Sequence, residues 1–281
     1  MTVILRNVAD VRAWRRALPG GQALGFVPTM GALHAGHISL MELARSRAAA
    51  TIASIFVNPL QFGPNEDLAK YPRPIERDIA LLEAAGVDAL FLPETADLYP
   101  EGASTFVVEE NVSAPMCGAV RPGHFRGVTT VVLKLFNIVQ PDLAVFGQKD
   151  AQQCAVLERM VRDLALPIEM VRGPIVREAD GLALSSRNVY LGHEDRAAAP
   201  LIYASLQAAR QAYENGERAA DRLAATGRAV LAGEPRIATQ YWDIRDPASL
   251  AAIDTVGPGG ALFAVAAHLG TTRLIDNIVV R

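Results

Sequence analysis

Cysteine is nearly missing from this chain. Its 281 residues include two, Cys117 and Cys154, with no Cys-x-x-Cys pair, which excludes a disulfide framework and a thiolate zinc site. A basic excess is missing as well. Lys and Arg number 27 against 30 Asp and Glu, a formal net charge of −3, and a nucleic-acid-binding surface normally shows the opposite balance. No apolar run approaches the ~20 residues of a membrane span; the best stretch, Ala261–Leu269, is interrupted by His268. The segment from Met1 to Arg6 has no apolar h-region followed by a cleavage site. The Asn111-Val112-Ser113 sequon is therefore read as silent, since it matters only in a secreted protein. A cytoplasmic protein with no nucleic-acid or membrane partner is expected. Walker A, Gly-x-Gly-x-x-Gly, Gly-x-Ser-x-Gly and His-Glu-x-x-His are all lacking, which disfavours P-loop ATPases, dinucleotide dehydrogenases, α/β-hydrolases and zincins.

What is present reads as a well-filled globular chain, 51% hydrophobic and 20% charged. Short apolar runs at 24–27, 51–57, 89–92, 143–146 and 168–171 alternate with amphipathic ones at 8–17, 38–49, 74–85, 127–139 and 150–164. Strands and helices alternating at this spacing predict a doubly wound parallel sheet, an α/β Rossmann-like domain with ligands at the carboxyl ends of its strands. Asp150 and Asp78 suit positions near helix N-termini. After Glu178 the pattern changes to Ala-rich helices at 197–214 and 219–231, then strands at 238–244, 261–267 and 273–280. This predicts a smaller α+β domain, and the expected division is 1–176 and 177–281.

The richest segment is Met30-Gly31-Ala32-Leu33-His34-Ala35-Gly36-His37, directly behind the first of these strands. Its histidines are three apart at the mouth of a helix and so share a face. Gly36 lets a ligand approach the backbone, and a helix N-terminus favours phosphate. A nucleotide site is one reading and a chance His-x-x-His the other; zinc lacks a third ligand. Gln61 follows the second strand, where its amide suits a ligand bearing a carboxylate and hydroxyls or is satisfied by the loop itself. Phe146-Gly147-Gln148-Lys149-Asp150-Ala151-Gln152-Gln153 enters another helix. The chain has only three lysines, at 70, 134 and 149, so Lys149 marks a place where a compact ammonium is wanted over a guanidinium. The stretch from Arg177 to Asn188, with Ser185, Ser186 and Arg187, reads either as a phosphate clamp or as a polar hinge. Arg121 to Val128 reads as a pocket lining or a helix cap, and His193 and His268 as structural.

Taken together, Pro28 to His37, Phe56-Val57-Asn58-Pro59-Leu60-Gln61-Phe62, Arg121 to Val128, Phe146 to Gln153 and Gly181 to Asn188 resemble the pantoate–β-alanine ligase family over essentially the whole chain. The histidine element is also similar to the His-Ile-Gly-His signature of the wider nucleotidyltransferase superfamily. The resemblance implies that pantoate, β-alanine and ATP with Mg²⁺ are joined into pantothenate through a pantoyl adenylate, by a homodimer. It implies ATP contacts at Met30, Gly31, Ala32, Leu33, His34, Ala35, Gly36, His37, Gly147, Gln148, Lys149, Asp150, Val176, Leu184, Ser185, Ser186 and Arg187. Among these, His34, His37, Lys149 and Arg187 are implied to be catalytic, with pantoate on Gln61 and Gln153 and no protein ligand for the metal. Leu184 stands where the family usually has Met, a swap of similar volume. Two other readings are a superfamily nucleotidyltransferase that leaves the nucleotide on its product, and a nucleotide-binding protein without turnover.

Overall fold

The computed structural model describes every residue except Asn65. The chain divides into two compact units, Met1–Gly147 with Val156–Pro174, and Gln148–Ala155 with Ile175–Arg281. The first is built on six strands: β1 (Val3–Leu5), β2 (Leu24–Thr29), β3 (Ala50–Ile55), β4 (Ala89–Phe91), β5 (Leu143–Gly147) and β6 (Glu169–Gly173). They pair in the order β1-β4-β3-β2-β5-β6, every pair parallel. All six residues of β3 are buried, the continuous apolar run expected of a strand covered on both faces. The connecting helices are α1 (Val8–Ala17), α2 (Ala35–Arg47), α3 (Ile75–Ala84), α4 (Thr95–Leu98), α5 (Cys117–Val120), α6 (His124–Val139) and α7 (Ala151–Asp163).

This order places a switch point in the sheet. From β2 the chain runs outward through β3 and then returns to the other side of β2 as β5, so the strand order reverses between β2 and β5. The carboxyl ends of strands at such a switch point form the binding crevice of open parallel sheets. Thr29 ends β2, and the histidine turn follows it immediately. α2 lies close on β2 because Gly25 has no side chain: a Cβ there would stand 3.2 Å from that of Ala48 and 3.3 Å from that of Ala44. The core between sheet and helix is Val27, Leu33, Met41, Ala44, Ile55 and Leu82.

Several elements differ from the sequence expectation: α4 and α5 are additional short helices, α6 begins at His124 where 127 was expected, and the helix expected at 197–214 is two, His193–Ala198 and Leu201–Glu214. β1 was not anticipated, because its apolar run, Val3-Ile4-Leu5, is shorter than the shortest run read as a strand. α2 begins at Ala35, three residues before the expected start, since its first turn is the glycine- and histidine-containing segment itself. Asp78 lies in the first turn of α3, as expected, and has a further duty there. It is fully buried in α3, and its carboxylate accepts the amides of Ala32 and Leu33 at 2.8 Å each. Burial pushes this carboxyl above its ordinary range, against the two amide bonds that lower it. The turn it holds contains left-handed residues at Gly31 (φ 81°) and Ala32 (φ 51°).

The second unit carries α8 (His193–Ala198), α9 (Leu201–Glu214) and α10 (Ala220–Ala232) with an antiparallel sheet β7 (Ile237–Arg245), β8 (Ala261–Leu269) and β9 (Thr272–Val280). Leu206, Leu223, Trp242, Phe263 and Val265 form the centre of its core. Trp242 fits over α10 because residue 227 is glycine; a Cβ there would meet the indole at 2.3 Å. The indole nitrogen donates to Ser205 Oγ at 3.0 Å. His193 opens α8 and His268 lies in β8, half-buried.

Two outcomes follow for the first unit. Asp78→Ala leaves two amides without their carboxylate and should cost about 2–3 kcal/mol; hydrogen exchange should accelerate at Ala32 and Leu33 before elsewhere. In Gly127→Ala, the new Cβ would sit 2.3 Å from the Leu60 carbonyl oxygen and 2.6 Å from the Gln61 nitrogen, both backbone atoms. The urea midpoint should fall by the equivalent of about 1–3 kcal/mol, with amide shifts confined to the 59–61 turn and the start of α6.

Candidate active site

At the mouth of α2 the two histidines cap the helix they begin. His34 is the N-cap residue, with extended backbone, and its Nδ1 accepts the Gly36 amide at 3.2 Å. His37 returns the arrangement: its Nδ1 accepts the His34 amide at 3.3 Å. The ring centroids are 4.1 Å apart. An imidazole nitrogen that accepts a backbone N–H carries no proton, so the donor nitrogen of each neutral ring is Nε2. The helix mouth thereby acquires two side-chain donors of fixed tautomer beside its own amides and its positive dipole end. Upstream, Thr29 Oγ1 donates to the Ser54 carbonyl at 2.8 Å and accepts the Gly31 amide at 3.2 Å.

Gln61 ends a short 3-10 turn, Pro59–Gln61, capped by Asn58. Its side-chain nitrogen donates to the Met30 sulfur at 3.0 Å, and its side-chain oxygen accepts from Asn58 Nδ2 at 3.1 Å. Met30 and Gln61, 31 residues apart in sequence, are thus in contact. Asn58 is itself buried and held on both ends, donating to the Gly127 carbonyl at 3.1 Å and accepting from the Tyr99 hydroxyl at 2.8 Å. Burial raises the Tyr99 phenol well above its ordinary value, so it remains a donor.

The Gln61 carbonyl is tied from another side. His124 Nδ1 donates to it at 2.8 Å, while His124 Nε2 lies 3.0 Å from Arg121 Nη1. A guanidinium only donates, so Nε2 accepts and the proton of His124 is on Nδ1. Arg121 also forks onto Glu66, through Nε at 2.7 Å and Nη2 at 2.5 Å. Burial alone would raise the Glu66 carboxyl; the paired Arg121 outweighs it and holds the group below the ordinary range. The segment from Arg121 to Val128 thus opens α6, without a side-chain cap, and braces Gln61.

In the second unit the Gln148–Asp150 turn precedes α7. Lys149 is mostly shielded, with 22% of its side chain exposed, and lies 3.7 Å from the Asp150 carboxylate. Asn277, in β9, donates to the carbonyls of Gln148 and Lys149 at 2.9 and 3.0 Å and accepts from Gln148 Nε2 at 3.1 Å. Gln153 sits half-buried in the first turn of α7. The stretch from Val176 to Arg187 is a small hairpin. The Leu184 amide donates to the Val176 carbonyl at 3.0 Å, Arg177 bridges Ala183, and Ser185 Oγ accepts the Arg187 amide at 3.2 Å. Arg177 forks onto buried Asp276 at 2.5 and 2.9 Å.

Residues named from the sequence therefore fall into local groups: His34 with His37, Gln61 with Met30, Gln148 with Lys149 and Asp150, and Val176 with Leu184 to Arg187. Sequence reading passed over Tyr99, Glu66, Asp276 and Asn277 and gave Asp78 and Asn58 no part in holding the site, though each of the six bonds a residue or backbone group of the quoted segments. The one signal available was a buried-type polar residue inside an apolar element, as with Asp276-Asn277 in β9 and Asp78 in α3.

Known proteins match this arrangement along the whole chain. The profile of the family described as pantoate-beta-alanine ligase matches residues 3–279. A pantothenate synthetase of Chloroflexus aurantiacus is 55% identical over 274 residues, 98% of this chain and 96% of its own. The pantothenate synthetase structure from Thermus thermophilus superimposes with a TM-score of 0.94 at 48% identity, covering 99% of both chains. A pantoate-beta-alanine ligase from Francisella tularensis, solved in complex with beta-gamma ATP and beta-alanine, gives 0.82 at 34% identity over 99% of this chain and 98% of its own. With its six-stranded parallel sheet, its capped histidine turn and these relatives, the chain belongs to the pantoate–β-alanine ligase family, ATP-dependent ligases of pantothenate synthesis.

Proposed function

We propose that the ligation proceeds through pantoyl adenylate, with the Nε2–H groups of His34 and His37 set against the phosphates of ATP. The reciprocal capping of α2 carries this reading, because it gives both rings one tautomer and one donor direction before any ligand arrives. In the first step a pantoate carboxylate oxygen attacks the α-phosphorus; the new P–O bond forms as the bond to the β-phosphate bridging oxygen breaks, and pyrophosphate leaves. In the second the free amine of β-alanine attacks the acyl carbon, AMP departs with the bonding pair, and the amine proton passes to water. The substrate carboxylate is the nucleophile, so the protein's task is alignment and charge stabilisation.

Met30, Gly31, Ala32, Leu33, Ala35 and Gly36 contribute backbone to ATP along the helix mouth, where amide donors favour phosphate. Lys149 takes the phosphate oxygens as a point charge and Arg187 the leaving group. Gly147, Gln148 and Asp150 continue the ATP contacts, Asp150 toward the ribose. Val176 lies toward adenine, and Leu184, Ser185 and Ser186 belong with Arg187. Gln61 and Gln153 hold pantoate, the former through an amide already aimed by Asn58 and Met30. Mg²⁺ rides on the triphosphate. A cation held by phosphate oxygens and water would need no cluster of protein ligands. In this reading 1–176 is the ATP- and pantoate-binding domain and 177–281 a smaller lid domain. The enzyme acts as a homodimer in the cytoplasm, in keeping with the family resemblance. No helix among the described residues is long and apolar enough to cross a membrane.

Pyrophosphate release tests the adenylate directly. With ATP and pantoate alone it should stop near one equivalent per site, and turn over on addition of β-alanine. Continuous release without β-alanine, or none in its presence, contradicts the mechanism. Lys149→Ala should slow adenylation by about 10²–10³-fold, the loss of one charge-directed contact of ~3–4 kcal/mol; a single-turnover quench experiment reads it. Gln61→Ala should raise the KM for pantoate by at least about tenfold, one lost hydrogen-bonding partner of ~1.4 kcal/mol or more, with the KM for ATP little changed.

A further inference from the structure

We propose that Asn277 is a positioning residue for the ligation, acting through Lys149 by fixing the backbone turn that carries it. The inference rests on the assignment of Lys149 to phosphate. A lysine head sits on four rotatable bonds, so its place is defined only as well as the backbone beneath it. Lys149 stands in the middle of a three-residue 3-10 turn, and the Gln148 and Lys149 carbonyls both accept from the single carboxamide of Asn277.

The chemistry of that contact singles out asparagine. Both amide hydrogens of Asn277 are used, on two successive carbonyls, and its oxygen accepts the Gln148 side chain. The residue is 2% exposed. Aspartate in the same volume would face two carbonyls with a carboxylate, leucine would leave both without a donor, and glutamine is a methylene too long. None of these three bonds serves β9 itself, which pairs with β8 through its backbone in an unbroken register, Asn277 opposite Ala264. The side chain therefore serves the turn.

Its neighbour makes the placement firmer. Asp276, 3% exposed, takes the Arg177 guanidinium in a fork and also accepts the Asn277 amide at 2.7 Å. Arg177 in turn donates to the Gly181 carbonyl at 3.0 Å and lies over the Tyr203 ring, 3.7 Å from its centroid. Two adjacent polar residues in the last strand thus hold both the Lys149 turn and the base of the hairpin that leads to Ser185, Ser186 and Arg187. Each does so through bonds within the second unit.

The test is a double-mutant cycle on adenylation, measured by single-turnover pyrophosphate release with saturating ATP and pantoate. Asn277→Ala should slow the step by roughly 30- to 100-fold, the penalty of a misplacement on the order of 1 Å, with the KM for pantoate held within about threefold. On a Lys149→Ala background the same change should cost less than about threefold, because residues acting as one unit are not additive. Should Asn277→Ala fail to fold, Asn277→Ser, which can keep one donated bond, replaces it; an intermediate loss is expected, with the same non-additivity. A full loss repeated on the Lys149→Ala background would mean general damage to the second unit and would overturn the proposal. So would an Asn277→Ala enzyme of near-normal rate beside a crippled Lys149→Ala. A Lys149→Ala enzyme of normal rate would instead overturn the phosphate assignment on which the proposal rests.

Discussion

At the first turn of α2, His34 Nδ1 accepts the Gly36 amide and His37 Nδ1 accepts the His34 amide. Helix N-termini ordinarily take such caps from Ser, Thr, Asp or Asn. Using imidazoles instead satisfies two amides and at the same time fixes which nitrogen of each ring bears the proton. Much of the first unit serves that turn. β2 delivers it to the switch point of the sheet, Gly25 lets α2 lie against the strand, and Asp78 holds Ala32 and Leu33 from behind. A ring free to rotate would lose entropy and its tautomer at the moment of reaction; a ring that caps a helix has settled both during folding.

The same economy appears wherever a named residue was followed to its support. Gln61 is aimed by Asn58, which is itself fastened to Gly127 and Tyr99. Its carbonyl is held by His124, whose other nitrogen answers to Arg121, which is paired with Glu66. These are buried or half-buried polar chains with each donor matched to an acceptor, the condition under which such networks specify a geometry. Gly127 belongs to the chain as well, since only a residue without Cβ lets α6 approach the 59–61 turn.

How much of this was legible in the sequence depended on distance along the chain. The alternation of strands and helices, the smaller α+β part and the histidine turn all rest on neighbours within a few residues, where periodicity and turn chemistry speak directly. Lys149, Gln153 and Arg187 were legible as local candidates, and the family resemblance then joined them into one expected site. β1 escaped because its apolar run, Val3-Ile4-Leu5, is shorter than any run read as a strand, and the start of α2 was placed late because Ala35-Gly36-His37 reads as a turn until its caps are seen. Asp78 was assigned to a helix dipole on position alone, whereas its partners lie 45 and 46 residues away. Asp276 and Asn277 were passed over for the same reason: their partners lie 99 to 129 residues back in the chain. The candidate substrate contacts occur in local motifs, and residues that hold those motifs still are scattered by the fold.

The tautomers of His34 and His37 are the most direct test of the account. Nitrogen-15 spectra of the imidazole-labelled enzyme, at a pH where both rings are neutral and again with a non-hydrolysable ATP analogue, distinguish a protonated ring nitrogen from an unprotonated one. The account predicts an unprotonated Nδ1 and a protonated Nε2 on both rings before ligand is added, unchanged in identity when the analogue binds. A proton on Nδ1 of either ring in the free enzyme, or a switch of tautomer on binding, would contradict it.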